Sequence, residues 1–374
     1  MIGSATRRLG LGRHAPVDPI RALQALRARA ASERPAECRE IACRFAGRPA
    51  RLRIVGRALA DTIAIAFGHL ASDDTEPELT IDLWDESLVQ AGADADGAAE
   101  LDRSWLGGGG VLSSAFGGRL VRHQLPHTTV WIDRGAHAIV GSVTAAGDLS
   151  LYERGKPLHY VLSLWHNDRG AFVAHGALVG RHGSGVLLAG VGGSGKSTLA
   201  AACLSSGYEC LGDDCIATEW CADGHFRAHS LFASLWLDDE ALGRLPALSG
   251  CAVGGTRPGE DKAVVEVGRN GHPGLARAAD IVAIGLPRIA RLPGTRVRPA
   301  GKAEALRALG PSTILLFAPS PGAEGLRHLG ALVNGVPSFW IDLGEDPAES
   351  AAAVGVLLES VGARVPATRM EPCR

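Results

Sequence analysis

Gly190, Val191, Gly192, Gly193, Ser194, Gly195, Lys196 and Ser197 form the stretch with the plainest chemistry. Their order fits G-x-x-x-x-G-K-[ST], the loop whose glycines let successive backbone N–H groups converge on phosphate oxygens. The apolar run Val186 to Ala189 before it reads as a buried strand. Thr198 to Leu204 reads as a helix that Gly207 can stop, so the helix N-terminus adds its positive end to the site. Lys196 is expected to reach the β- and γ-phosphates of ATP, Ser197 to hold Mg²⁺, and Thr198 to join the nucleotide contacts. A chain with 49 glycines makes glycine coincidences cheap, but it holds four lysines, Lys156, Lys196, Lys262 and Lys302, against 34 arginines. A lysine at the required place is therefore informative.

Phosphoryl transfer also needs a carboxylate near the metal and a group to receive the acceptor's proton. Asp213 and Asp214 follow the apolar step Cys210-Leu211 and precede Cys215-Ile216, a setting too apolar for an ordinary surface turn. They are expected at the end of a strand beside the loop, pointing to opposite sides and dividing the two roles. His175, at the end of the strand-like run Ala171 to Ala174, is a third candidate whose case rests on spacing.

The ordered set His175-Gly176, the loop through Ser197, then Gly212-Asp213-Asp214 resembles the catalytic domain of the HPr kinase/phosphorylase family. The offsets, 196 − 175 = 21 and 213 − 196 = 17, are similar to that family's, over about 40 residues. The wider chain resembles the HPr-kinase-like proteins found beside ribosomal-peptide and lasso-peptide gene clusters, some of which phosphorylate a peptide hydroxyl. The Gly-Asp-Asp step is also similar to ATP-dependent phosphoenolpyruvate carboxykinase.

The resemblance implies Asp213 as proton acceptor, His175 as its orienting neighbour and Asp214 as a metal-side carboxylate. It also calls for a catalytic arginine; Arg288, just after the apolar run Ile281 to Leu286, is the candidate, with Lys262 as a second cation. Thr198 stands where the family usually has Glu, and the family's later glycine-rich signature has no match here. These departures count against HPr itself as the substrate and against phosphorolysis, and leave the reverse reaction open.

The rest of the chain must position these groups. At 374 residues two domains are expected, a strand-rich α+β part over 1–165 that recognises the acceptor or a partner, and an α/β catalytic part over 166–374. In the first, Pro19 to Ala31 and Ala58 to Leu70 read as helices. Strands are expected at Arg39 to Phe45, around Leu52 and Ile54 after a Gly47-Arg48-Pro49 turn, at Leu79 to Leu83, and over Val111 to His123, Thr128 to Asp133 and Ala136 to Val143. Ala91 to Gly110 reads as a loop. In the second, strands are expected at Cys215 to Thr218, Leu231 to Leu237, Ala263 to Val267, Ile281 to Leu286, Ile314 to Ala318 and Phe339 to Leu343. Helices are expected at Ala303 to Leu309, Gly325 to Val333 and Pro347 to Val361.

The composition, 46% hydrophobic and 21% charged, is that of a soluble globular protein, with no run of membrane-spanning length and no signal-peptide core, so a cytoplasmic protein is expected. Eight cysteines are too few for a disulfide scaffold; Cys210, Cys215 and Cys221 lack metal-site spacing and read as buried thiols. Residues 1–57 carry 13 Arg against 4 acidic residues, +9, in a chain of net −2, which could receive an acidic partner. With 5% aromatics, nucleic-acid binding has no further support, and the Leu-Ser-Gly-Gly-Gln signature of transporter ATPases does not occur.

The leading expectation is an ATP- and Mg²⁺-dependent kinase acting on a Ser or Thr hydroxyl of a peptide or small protein, with a small-molecule acceptor as the next choice. A carboxykinase-like or NTP-hydrolysing enzyme and a non-catalytic nucleotide-gated binder are the alternatives; the latter would need no base beside the loop. Relatives of the HPr kinase type suggest a homo-oligomer.

Overall fold

The computed structural model describes residues 19–74, 76–88, 112–254, 262–316 and 322–362. The loop expected over Ala91 to Gly110 lies outside them. The fold is mixed α/β, with two mixed sheets and a small antiparallel one.

Helix α1 (Pro19–Glu33) buries Ile20, Leu23 and Ala30 against Val55, Trp84 and Trp131 of the first sheet, as its apolar spacing dictates. Strands β1 (Cys38–Phe45) and β2 (Arg48–Val55) form a hairpin whose two connecting residues, Ala46 and Gly47, both have positive φ. That is the tight reversal whose twist suits paired strands, so Arg48 and Pro49 belong to β2 and not to the turn. After α2 (Arg57–Phe67) come β3 (Leu79–Asp85), β4 (Leu112–Ala115), β5 (Leu120–Gln124), β6 (Thr128–Asp133) and β7 (Ala138–Val143). The sheet order is β1-β2-β3-β7-β6-β5-β4. The run expected as one strand over Val111 to His123 is two, because Gly117 and Gly118 take positive φ between β4 and β5.

Helices α3 (Leu151–Gly155) and α4 (His159–Asn167) connect this sheet to the second. Ser150 and Glu153 cap α3 reciprocally, which fixes where it starts. The second sheet contains β8 (Ala171–Ala174), β9 (Ala177–Arg181) and β10 (Ser184–Leu188), then α5 (Lys196–Ser205), β11 (Glu209–Gly212), β12 (Ile216–Trp220) and β13 (Phe226–Ser230). Strands β14 (Ser234–Leu237), β15 (Ala252–Val253) and β16 (Ala263–Glu266) make the small sheet beside α6 (Asp239–Arg244). The long strand β17 (Ala278–Leu292), β18 (Arg296–Ala300) and β19 (Ser338–Gly344) complete the second sheet, ordered β11-β9-β10-β17-β13-β12-β8 with β19 beside β17. Helices α7 (Lys302–Leu316) and α8 (Gly322–Gly335) cover one face and α5 with α9 (Pro347–Gly362) the other.

Ile314, expected in a strand, lies in α7, which continues through Pro311. Likewise Leu231 to Ala233 separates β13 from β14 instead of joining one strand. The expected boundary after residue 165 falls inside α4. A shared core crosses it: Phe45, Phe67 and Ile139 pack in one cluster with Trp165, Val173, Cys215 and Phe232.

Candidate phosphate loop and carboxylate site

Three chain segments meet at one edge of the second sheet because of strand direction. β10 pairs antiparallel with β9, and β9 antiparallel with β11, so β10 and β11 run the same way. The loop leaving β10, the Asp pair leaving β11 and the His175-Gly176 step entering β9 therefore share that edge, with Leu188 facing Ala177. Two glycines are required by close approach. A Cβ on Gly176 would meet the Leu188 carbonyl at 2.6 Å, and one on Gly212, at φ 133°, would meet the Phe232 carbonyl at 2.9 Å.

The loop is an open cradle. Gly193 and Gly195 have φ of 77° and 96°, so the chain curls in a way other residues resist. Gly192 and Gly193 have empty space where a Cβ would stand, whereas one on Gly190 would strike the Ser194 hydroxyl at 2.6 Å. Val191 is exposed at the tip. The Lys196 ammonium donates to the carbonyls of Gly190 at 2.7 Å and Val191 at 3.1 Å. The ammonium is thus a buried cation whose partners are the loop's own carbonyls. The Ser194 hydroxyl, buried with no hydrogen-bond partner, is a further donor aimed into the same turn. Thr198 lines a cleft of about 520 Å³ that begins at Gly195 and runs between α5 and α6, with Asp238, Arg244, Leu343 and Glu345 on its walls.

The two carboxylates occupy opposite surroundings. Asp213 is 1% exposed and accepts from the backbone N–H of Trp236 at 3.3 Å and of Asp214 at 3.0 Å. Burial, then the Asp214 charge, push its carboxyl up to about 6, against a hydrogen bond from the Ser197 hydroxyl. Asp214, at φ 63°, turns the other way. Its carboxylate accepts from Lys156 Nζ at 2.6 Å and faces His175 Nε2 at 3.3 Å. Burial pushes it up, but the His175 contact and the Lys156 ammonium hold it far below the usual carboxylate range. The pairing is thus the reverse of that expected: His175 adjoins Asp214, and the serine of the loop adjoins Asp213.

His175 is fixed by its backbone N–H, which donates to Thr313 Oγ1 at 3.1 Å, and its Nδ1 is buried without a partner. Lys156, between α3 and α4, is a site residue that no motif announces. Its ammonium lies 4.9 Å from the centre of the Trp236 ring and 5.8 Å from that of Tyr152. Burial alone would lower its pKa; Asp214 and its neighbours hold it above the ordinary lysine value. The signal in the sequence was scarcity, with four lysines in the chain. Burial lowers the pKa of the loop's own Lys196, against the charges of Asp213 and Asp214, which raise it. Two of the four lysines, Lys156 and Lys196, therefore stand at this edge.

Arg288 does not join them. It pairs with Asp342 across β17 and β19, its Nε 2.5 Å from the carboxylate and its guanidinium over the Trp340 ring at 5.2 Å. The would-be Cβ of Gly195 meets the neighbouring Ile289 and Leu343, which face the loop; alternation along β17 sends Arg288 to the opposite face.

The donor set fits a nucleoside triphosphate with Mg²⁺. An open glycine cradle, a buried lysine and an orphaned hydroxyl suit phosphates, and a hydroxyl beside a carboxylate is the hard oxygen pair that Mg²⁺ prefers.

No protein-family model matches the chain, and no curated protein does. Among solved structures it is similar to the Hpr(Ser) kinase/phosphatase from Coxiella burnetii, at 14% identity over 51% of this chain and 94% of that one, with a TM-score of 0.28.

Proposed function

We propose that this chain is a phosphotransferase that moves the γ-phosphoryl group of ATP to a hydroxyl, with a peptide or small protein as the acceptor. One observation carries the reading: the phosphate loop, a buried carboxylate on its serine and an accessible carboxylate held by a lysine and a histidine meet at one sheet edge. A protein that merely bound nucleotide would need the first of these and not the last.

The loop N–H groups, Lys196 and Ser194 hold the phosphates, and the cleft lined by Thr198 takes the nucleoside. Ser197 and Asp213 are the residues that would hold Mg²⁺, which would supply positive charge against the phosphates. Asp213 is too enclosed to meet an acceptor. Asp214, its side chain 26% exposed, is the group that can orient the hydroxyl and receive its proton. It is a weak base, but a loose transition state asks little of the nucleophile, and Lys156 and His175 keep it ionised. The roles that the resemblance gave to the two aspartates are therefore exchanged.

A macromolecular acceptor is supported by the seven-stranded sheet joined to the site, more surface than a metabolite needs. Its arginines are partly spent internally, since Arg27 and Arg53 pair with Asp82, Arg44 with Asp74 and Arg48 with Glu78. The test is incubation with Mg-ATP and peptides encoded beside this gene, read by mass spectrometry for a gain of about 80 Da, one phosphoryl group. An acid-stable adduct on Ser or Thr, absent with Lys196→Ala, is expected. An acid-labile adduct, or hydrolysis without any adduct, would overturn the reading.

A further inference from the structure

The hairpin joining β12 to β13 carries Cys221, Asp223 and His225 at alternate positions, and none has a part in the site above. The Cys221 N–H donates to the His225 carbonyl at 2.9 Å, so the two residues face each other across the hairpin. Directly opposed residues send their side chains to the same face. The thiol, a ring nitrogen and an Asp223 carboxylate oxygen all lie within 4.8 Å of one another.

His225 supplies the second observation. Its side chain is 8% exposed, its Nε2 is 3.2 Å from Asp280 Oδ1, and its Nδ1 contacts Asp223 Oδ1. Asp280 is fixed in turn by Arg227 Nε at 2.9 Å. Both ring nitrogens are buried and neither makes a well-formed hydrogen bond, so the imidazole is a buried polar group aimed at the thiol and the Asp223 carboxylate. A histidine backed by a carboxylate on one nitrogen, with a thiol and a second carboxylate gathered at the other, is the usual second-shell build of a metal ligand.

We propose that Cys221, Asp223 and His225 bind a divalent transition-metal ion of the Zn²⁺ class, with Asp280 orienting the imidazole. Thiolate with imidazole selects such an ion over Mg²⁺, and three protein ligands leave one position for water. Binding displaces the thiol proton to solvent. The site is separate from the aspartate pair. It lies at the far end of β12, 221 − 214 = 7 residues from Asp214, roughly 20 Å at about 3.3 Å per residue.

Co²⁺ added to the full chain after chelator treatment tests this, because a thiolate ligand gives cobalt a near-ultraviolet charge-transfer band that oxygen ligands at the phosphate loop cannot. The expected result is a saturable band that Zn²⁺ bleaches, that Cys221→Ser abolishes, and whose apparent affinity Asp280→Asn weakens about 10- to 100-fold. Absence of the band in the wild type, or its persistence in Cys221→Ser, overturns the proposal. If Cys221→Ser fails to fold, Asp223→Asn decides: its side chain is 49% exposed, so the fold should survive, and unchanged cobalt affinity would refute the site.

Discussion

At Asp213 and Asp214 one peptide bond separates two carboxyl groups in opposite states. Asp213 has its folded pKa raised to about 6 by burial and then by its neighbour's charge. Its contribution to stability is therefore full below the unfolded value, about 4, and is lost as pH rises through about 6. Asp213→Asn cannot ionise, so it should raise the melting temperature of the nucleotide-free protein near pH 7.5 and raise it clearly less near pH 5.5, below the folded value of about 6; equal shifts at both would contradict the buried-charge account. The two aspartates should also separate in function. Asp214→Asn should keep Mg-ATP binding by calorimetry and lose at least about 10²-fold in transfer, the scale of a general base. Asp213→Asn should lose the Mg²⁺-dependence of nucleotide binding. The opposite pattern would restore the roles that the resemblance implied. The loop and the Asp pair stand out in the sequence as local patterns, whereas His175 could be singled out only through its spacing from the loop. Which aspartate met which partner could not be read. The positive φ values at Gly212 and Asp214 turn the chain just past β11, where strand alternation no longer applies.

The segment from α3 to α4 is where element-scale reasoning changes the picture. It was expected as the tail of a recognition domain, yet it inserts Lys156 between Asp214 and the Trp236 ring. The apolar spacing of Leu158, Val161, Leu162 and Trp165 marks the buried face of α4, but such spacing says nothing of the turn before it. There Leu158 takes a left-handed conformation and α3 ends, so the lysine faces inward. Arg288 failed for a related reason, since placing a residue at a strand end does not fix which face it takes. Lys156→Met should lower transfer at least about 10-fold, the lower part of the range for a group that stabilises charge in a dry site. It should also move the acid limb of kcat/KM to higher pH, because Asp214 would lose the cation that holds its pKa down. A fall in activity with an unmoved pH profile, at equal melting temperature, would leave Lys156 a packing residue. Cutting the chain before residue 166 is a worse test, because it also strips Phe45, Phe67 and Ile139 from the core around Trp165.

For the whole molecule, the feature that most constrains behaviour is the number of neutral histidines in its interior. Burial lowers His69, His123 and His328 to about 4, and His159 and His166 to about 3. Three of them stand where the seven-stranded sheet meets α4: His123 stacks on Tyr160, His159 accepts or donates at the Tyr152 hydroxyl at 2.9 Å, and His166 lies edge-on to Phe45. Unfolded, each would titrate near 6.5, so the unfolded chain binds protons that the folded one refuses. Their contribution to stability is present above about pH 6.5 and lost as pH falls toward 4, each by up to about 1.4 kcal/mol per pH unit. Five such groups can exhaust a typical stability of about 5–15 kcal/mol within about two pH units. The protein should therefore unfold cooperatively between about pH 6 and pH 4, with uptake of several protons, as followed by circular dichroism and by the pH slope of denaturant stability. His123→Gln, which cannot charge, should shift that midpoint to lower pH. A chain that stays folded with flat stability down to pH 4 would mean that these histidines charge without unfolding, and that the junction between the two sheets is wetter than its packing implies.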